Sequence, residues 1–372
     1  MNKPLEQLKA IMLGHAVGDA LGVPVEFCER EELDKNPVTT MIGWGSYPVP
    51  AGCWSDDTSM SLATLDSLKD GNIDYELIMQ NFVRWFTEDE YTPTGEMFDI
   101  GKTCMSAIRN YLTSDGKPSL ECGLKDERSN GNGSLMRIHP MAFYLHYKKI
   151  PYEEAIEIIH NTSSITHAHP ISKIACGIYS SVLWSLLENP CKESIINGLN
   201  KARHYYGGDI TEREKKKILM MINNPDLSRT EHDELMELLW SGIDVKKVQN
   251  YDKEIKIFEK MLLKPIAFSY RNWENNGEYK PVTKDEIKST GYVVDTIEAA
   301  IWCILTTKDY KECVTMAVNL GGDTDTIAAV AGGLAGALYG INSIPIEWLE
   351  TLKKRDYIEQ LCEKAFENWT KN

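Results

Sequence analysis

Two short stretches of this chain set paired carboxylates beside hydroxyls where a helix would begin. WSDDTSM carries Ser55, Asp56 and Asp57, and GGDTDT carries Asp323, Asp325 and Thr326. A serine or aspartate at a helix start accepts hydrogen bonds from N–H groups that the first turn leaves free, so each stretch alone reads first as a cap. A cap needs no second acid beside it, and neighbouring carboxylates repel unless a proton or a cation neutralises them. Hard cations such as Mg²⁺ and Mn²⁺ take carboxylate and hydroxyl oxygens as ligands. Together the two stretches offer four aspartates and several hydroxyls at two helix mouths. If the mouths converge, they form a binuclear oxygen-ligand site. Two cations about 3.5–4 Å apart could there clamp substrate oxygens and activate water.

Other segments carry weaker signals. GHAVGDALGVPVEF spaces Gly14, Gly18 and Gly22 four apart, which stacks them on one helical face and permits close backbone approach. Tight helix packing explains these glycines but not Asp19 and Glu26, two acids in apolar surroundings. The loop NGNGSLMR, which includes Gly131, Asn132, Gly133 and Ser134, offers backbone N–H groups suited to an anion, although most such loops are ordinary turns. In THAHP, His167 and His169 stand two apart with no cysteine or third histidine nearby. Entry into a helix at Pro170 weighs at least as much as a ligand role, and one histidine could line a pocket.

The elements that must hold these residues read as helices. Ile73–Phe86 places Ile78, Phe82 and Phe86 on one face with Trp85 flanking. Tyr152–His160 does the same with Ala155, Ile158 and Ile159. Asp57–Lys69, Tyr292–Thr306 and Ile346–Trp369 are also expected to be helical. Gly, Pro and Asn clusters separate these signals, and few stretches alternate in the manner of a strand. The expected fold is all-α, a compact single-domain orthogonal helical bundle over residues 1–372. The highly charged stretch at about 201–279 carries no candidate chemistry and reads as a solvated helical insertion, with a partner-binding appendage as the alternative. With 42% hydrophobic and 26% charged residues the composition is that of an ordinary globular protein. A net charge of −15 argues against nucleic acid and against an anionic membrane surface as partners. Apolar runs are interrupted, by His15, Asp19 and Glu26 among others, short of the roughly 20 residues of a membrane span. The N-terminal stretch lacks a signal-peptide pattern. Nine scattered cysteines without a CxxC pair suit a reducing cytoplasm. Nothing in the sequence calls for more than a monomer or a weak oligomer.

The ordered set GHAVGDALGVPVEF, WSDDTSM, FDIGKT, NGNGSLMR, THAHP, GYVVDTIEAAIW and NLGGDTDTIAAVAGGLAGALYG resembles the ADP-ribosylglycohydrolase family, which includes the dinitrogenase-reductase-activating glycohydrolase and the ADP-ribosylarginine hydrolases. The motifs run from Gly14 to Gly340, and the set is specific although each piece is not. The resemblance implies a compact all-α fold with two Mg²⁺ or Mn²⁺ ions at the base of a cleft. It implies Ser55, Asp56, Asp57, Asp323, Asp325 and Thr326 as metal ligands, with Ser55 replacing the threonine of some members. Glu26 matches the family's acidic residue near the metals and would position or activate water, with Asp57 and Asp325 as further catalytic carboxylates. Asp99 and Gly101 belong to a motif of arginine-type members. The Asp99 carboxylate would receive a guanidinium, a pairing of matched planar geometry; the alternative is a cap on a helix over Ile100–Tyr111. Gly131, Asn132, Gly133, Ser134 and His167 would line the ADP-ribose cleft, and Tyr292 would contact the adenosine half.

The implied activity is metal-dependent hydrolysis of the N-glycosidic bond between ADP-ribose and a protein side chain, with arginine favoured. A serine, nucleic-acid or small-molecule linkage is an alternative, as is an ADP-ribose-binding scaffold without turnover. Both acidic clusters are complete, which argues against the scaffold.

Overall fold

The computed structural model describes residues 3–114, 116–207 and 283–371. The fold is all-α. Among these residues extended pairing reduces to two isolated bridges, Leu124 with His167 and Gly131 with Tyr292. The α-helices are α1 (Lys3–Gly22), α2 (Arg30–Lys35), α3 (Asp56–Ser67), α4 (Tyr75–Glu88), α5 (Lys102–Thr113), α6 (His139–Tyr147), α7 (Tyr152–Ser164), α8 (Pro170–Glu188) and α9 (Lys192–Gly207). They continue with α10 (Val293–Thr306), α11 (Tyr310–Val318), α12 (Thr324–Tyr339), α13 (Ile346–Thr351) and α14 (Arg355–Lys371). Of the charged stretch expected as an insertion, residues 201–207 complete α9 and the rest lies outside the described residues.

The centre of the molecule is the pair α1 and α12. Every residue from Ala10 to Gly22 and from Thr324 to Leu338 is buried. A helix buried on all sides must be surrounded by other helices rather than showing a polar face to water. Small residues let the two backbones approach. A Cβ on Gly14 would lie 2.5 Å from the Gly332 carbonyl oxygen, one on Gly18 2.1 Å from that of Ala328, and one on Gly22 2.3 Å from the Asp325 Cα. Contacts that descend along one helix as they rise along the other define an antiparallel pair. The end of α1 therefore meets the start of α12, and Thr324 donates its hydroxyl to the Gly22 carbonyl at 2.8 Å.

Around this pair α10 and α11 cover α12, α14 lies against α1 and α3, and α7 and α9 flank α8. The helix expected at Ile73–Phe86 starts two residues later because Asp74 caps it, accepting from the N–H groups of Glu76 and Leu77. Its core face is Ile78, Phe82 and Trp85, with Phe86 at the edge. In α7, Ile156 turns inward in place of Ile158. The single helical signal over Ile346–Trp369 divides into α13 and α14. Gly52 presses against the carbonyl of Thr351, Lys353 donates its N–H to the Gly52 carbonyl at 2.9 Å, and Lys354 turns to a φ of 45°. That backbone contact interrupts an otherwise continuous apolar period.

Two helices are long and apolar enough to cross a membrane by length and composition, α1 with its short extension to Val25 and α8. The sequence reading expected none. Their spans are 94% and 83% buried inside the fold, which accounts for their apolarity without a bilayer.

Candidate active site

Each acidic stretch starts a helix, but a side-chain cap forms only at the first, and the two are held differently. Ser55 caps α3, its hydroxyl accepting the N–H of Asp57 at 3.3 Å. A second acid enters from α1. Asp19 accepts the Ser55 N–H at 2.9 Å through Oδ1, and the Thr58 N–H at 3.0 Å and hydroxyl at 2.6 Å through Oδ2. This explains an acid in apolar surroundings: Asp19 satisfies the free N–H groups of a buried helix start. Burial pushes its carboxyl up to about 6 against these hydrogen bonds.

Asp323 caps α12 without a side-chain bond to it. Its placement comes from backbone. Gly321 and Gly322 sit at φ +74° and +72°, where a side chain is strained. The turn is stitched to its neighbours on three sides. The Phe27 N–H donates to the Gly322 carbonyl at 2.7 Å, the Gly322 N–H to Cys28 at 2.9 Å and the Asp323 N–H to Ser289 at 2.9 Å. The Asn132 amide then fixes the carboxylate, donating to Asp323 Oδ2 at 2.8 Å and to the Thr296 hydroxyl at 2.9 Å.

The two helix starts converge. Asp57 Oδ2 accepts from the Ser55 hydroxyl at 2.9 Å and from the Thr326 hydroxyl at 3.2 Å, a bond that joins α3 to α12. Asp19, Asp57 and Asp325 each bring a carboxylate oxygen within 4.8 Å of the others, and so do Glu26, Asp99 and Asp325. Asp325 is common to both groups. Burial first, then neighbouring acids, raise Asp56, Asp57 and Asp325 well above the usual carboxylate range. Glu26 is pushed up to about 8 by burial, with Asp99 the next cause. Only hydrogen bonds oppose these shifts. Asp57 Oδ1 and Glu26 Oε2 are buried with no hydrogen-bond partner among the described residues. Buried acceptors without donors are costly, and an oxygen-only donor set of this kind suits a hard divalent cation. The residues fit a metal.

Asp99 does not cap α5, which begins at Lys102 with Gly101 as its cap residue. It lies instead in the acid group, with Tyr47 beside it and Glu26. The Tyr47 ring rests against Phe98 with centroids 5.0 Å apart. Gly101 donates its N–H to Asp56 Oδ2 at 3.1 Å. Sequence reasoning did not single out Tyr47. Its one signal was an aromatic within the loop GSYPVPAG.

The glycine-asparagine loop lies beside the start of α10. The Asn132 N–H donates to the Gly291 carbonyl at 3.1 Å and the Val293 N–H to Asn130 at 3.0 Å, which sets Gly131 opposite Tyr292. A Cβ on Gly133 would lie 2.7 Å from Cys104 Sγ and 3.0 Å from the His167 ring, so only glycine fits. His167 is buried with Nδ1 2.9 Å from the Thr166 hydroxyl, and burial lowers it to about 3, which keeps it neutral. The Ser134 hydroxyl turns into the core, where it accepts from Ser163 at 2.9 Å and pairs with Cys176. His169 caps α8, accepting the Ile171 N–H, as helix entry before Pro170 required.

Beside a glycine loop in an all-α fold, the acids gathered at two helix mouths form a cluster that could hold a metal ion. The chain belongs to the ADP-ribosylglycohydrolase family, whose model matches residues 1–372. It is 29% identical to an ADP-ribosylarginine hydrolase of Pseudomonas putida (strain GB-1), over 98% of this chain and 78% of that protein. It is 27% identical to an ADP-ribosyl-dinitrogen reductase glycohydrolase of Rhodospirillum rubrum, over 91% and 88%. Among solved structures, one titled "ADP-ribosylglycohydrolase-related protein complex" superposes with a TM-score of 0.68 at 26% identity, covering 99% of this chain and 100% of that one.

Proposed function

We propose that the protein hydrolyses the N-glycosidic bond between ADP-ribose and an arginine side chain of a modified protein, reversing mono-ADP-ribosylation. The observation that carries this reading is the convergence of Asp57 and Asp325 from two helix starts beneath the Glu26–Tyr47–Asp99 group. Similarity to ADP-ribosylarginine hydrolases over nearly the whole chain supports arginine as the linkage.

Ser55, Asp56, Asp57, Asp323, Asp325 and Thr326 would hold two Mg²⁺ or Mn²⁺ ions. Such ions supply Lewis acidity towards ribose hydroxyls and lower the pKa of water. Glu26, ionised once a cation offsets its acidic neighbours, accepts a proton from the attacking water. The new bond joins that oxygen to the anomeric carbon. The electron pair of the breaking carbon–nitrogen bond goes to the guanidine, which takes the proton that Glu26 accepted and leaves as a guanidinium. Asp99 pairs with this cation, and the surrounding carboxylates stabilise the positive charge that develops on the sugar. Gly131 and Gly133 face the pyrophosphate with main-chain groups, which lets an acidic protein hold an anion, and Asn132 holds the loop through its bonds to Gly291 and Asp323. His167 supports this loop from behind, and Tyr292 borders the adenosine side. Nine free thiols support a reducing cytoplasm as the place of action. The chain works as one domain over 1–372, as a monomer or weak oligomer, with the stretch at about 201–279 as an insertion.

The test is a panel of substrates that differ only in linkage, assayed with Mg²⁺, with Mn²⁺ and with EDTA. Release of ADP-ribose from the arginine linkage should exceed that from serine and stop with EDTA. Asp57→Ala and Asp325→Ala should each lower turnover by roughly 10²–10³-fold. Full turnover in EDTA, or in either variant, would reject the site.

A further inference from the structure

Just outside the acid group stand two aromatic side chains that the chemistry above does not use. Phe27 follows Glu26 directly, and Trp44 lies three residues before Tyr47. Each is 71% exposed, and each has a positive φ, 67° and 62°. A bulky residue is rare in that region, and it persists there only where the surroundings enforce it. The surroundings here do so. The Phe27 N–H is pinned to the Gly322 carbonyl, in the turn that carries Asp323, and the Trp44 N–H donates to Val49 at 2.8 Å. The two segments are stitched together. Ser46 donates its N–H to the Pro24 carbonyl at 2.9 Å and its hydroxyl to the Glu26 carbonyl at 2.5 Å. Gly45 lies so close that a Cβ would fall 1.8 Å from the Pro24 carbonyl oxygen. A groove of about 590 Å³ starts at Val25, beside Glu26 in the chain, and is lined by apolar Leu33, Val38 and Ile42, the last 43% exposed, and by polar Glu32 and Lys35.

We infer that Phe27, Trp44 and the groove beside Ile42 form a docking rim for the polypeptide that carries the modified arginine, with a preference for segments bearing further cationic side chains. The inference rests on the proposed hydrolase reading, in which the guanidine leaves past Glu26 and Asp99, so that the chain bearing it emerges at this rim. Charge selects the occupant. A chain with a net charge of −15, whose mouth is lined by carboxylates, attracts a basic segment, and exposed aromatic faces hold ammonium and guanidinium groups. A nucleotide needs no apolar strip outside the acid group. An extended peptide does, because its flanking residues lie beyond the bond being cleaved.

The experiment compares two substrates on the full chain. One is ADP-ribosylarginine as the free amino acid, and the other is a lysine-flanked peptide carrying the same linkage. Trp44→Ser and Phe27→Ser should each lower kcat/KM for the peptide by about tenfold and change it by less than about twofold for the amino acid. Ile42→Ser, which does not adjoin Glu26, should show the same selectivity with a smaller loss. Losses equal on both substrates, as stacking on the nucleotide would give, or no loss on either, would overturn the docking rim while leaving the hydrolase reading intact. Failure of the native chain to cleave either substrate would overturn that reading and the rim with it.

Discussion

The helix starts at Asp56 and at Thr324 carry nearly the same residues and are built by opposite means. The first is fixed by side chains. Ser55 caps it from within, Asp19 reaches in from α1 with both oxygens, and Gly101 holds Asp56. The second is fixed by backbone. Two left-handed glycines bend the chain into the turn, main-chain hydrogen bonds stitch it to residues 27, 28 and 289, and Gly22 lies in direct contact with Asp325. Asn132 is the side chain that orients Asp323. Side-chain bonds can be lost singly, because the donors left behind find water or shift. A backbone contact at van der Waals distance has no partial form. The second helix start should therefore tolerate change less than the first, although both contribute acids to one cluster.

Gly22→Ala tests this most severely. The added methyl would lie 2.3 Å from the Asp325 Cα, and backbone cannot move aside as a flexible side chain would. We expect a loss of about 3 kcal/mol in denaturant unfolding together with loss of Mn²⁺ binding. A midpoint within experimental error of the native chain would show that the close approach does not fix this helix.

On the other side, Asp19→Ala leaves the N–H groups of Ser55 and Thr58 buried without their acceptor. It should cost less, about 2 kcal/mol, and weaken Mn²⁺ binding by about tenfold through loss of ligand orientation. Asp19→Asn, which keeps one acceptor oxygen, should recover part of both. A loss from Asp19→Ala larger than from Gly22→Ala would reverse the ranking.

The last test is the pH dependence of stability. Glu26 has its pKa raised from 4.5 to about 8, so in the metal-free protein the folded state holds its proton more tightly than the unfolded chain does. Stability should then fall as pH rises across that interval, with the penalty complete above the folded value. Glu26→Gln should flatten this part of the thermal-unfolding profile, and saturating Mg²⁺ should do the same for the native chain. A steeper fall in Glu26→Gln would contradict the assignment of the shift.

The acids of both helix starts, and their convergence, were legible because paired carboxylates with hydroxyls at a helix start have few other uses. Close backbone approach at Gly14, Gly18 and Gly22 was legible from glycine spacing, and the contacts with α12 bear it out. Tyr47 was not legible. Its position depends on Gly45 seating against Pro24, a contact between loops without periodicity. Asp19 was visible only as an acid out of place, since its acceptor role depends on α3 crossing α1 at the right depth. The hydroxyl of Ser134 turns inward to Ser163 and Cys176, a direction that no local pattern encodes. The break between α13 and α14 escaped for the same reason, because it is imposed by a glycine some 300 residues earlier in the chain.

The antiparallel pairing of α1 with α12 also has a consequence for synthesis. The bond between Thr324 and Gly22 spans 302 positions, so α1 is synthesised long before the helix it packs against. Until then α1 is an apolar rod without its partner, exposed to association with other chains. A nascent chain that stops before residue 323 carries one acidic helix start and lacks the other. The fold thus ties the completion of its chemistry to synthesis past Thr326.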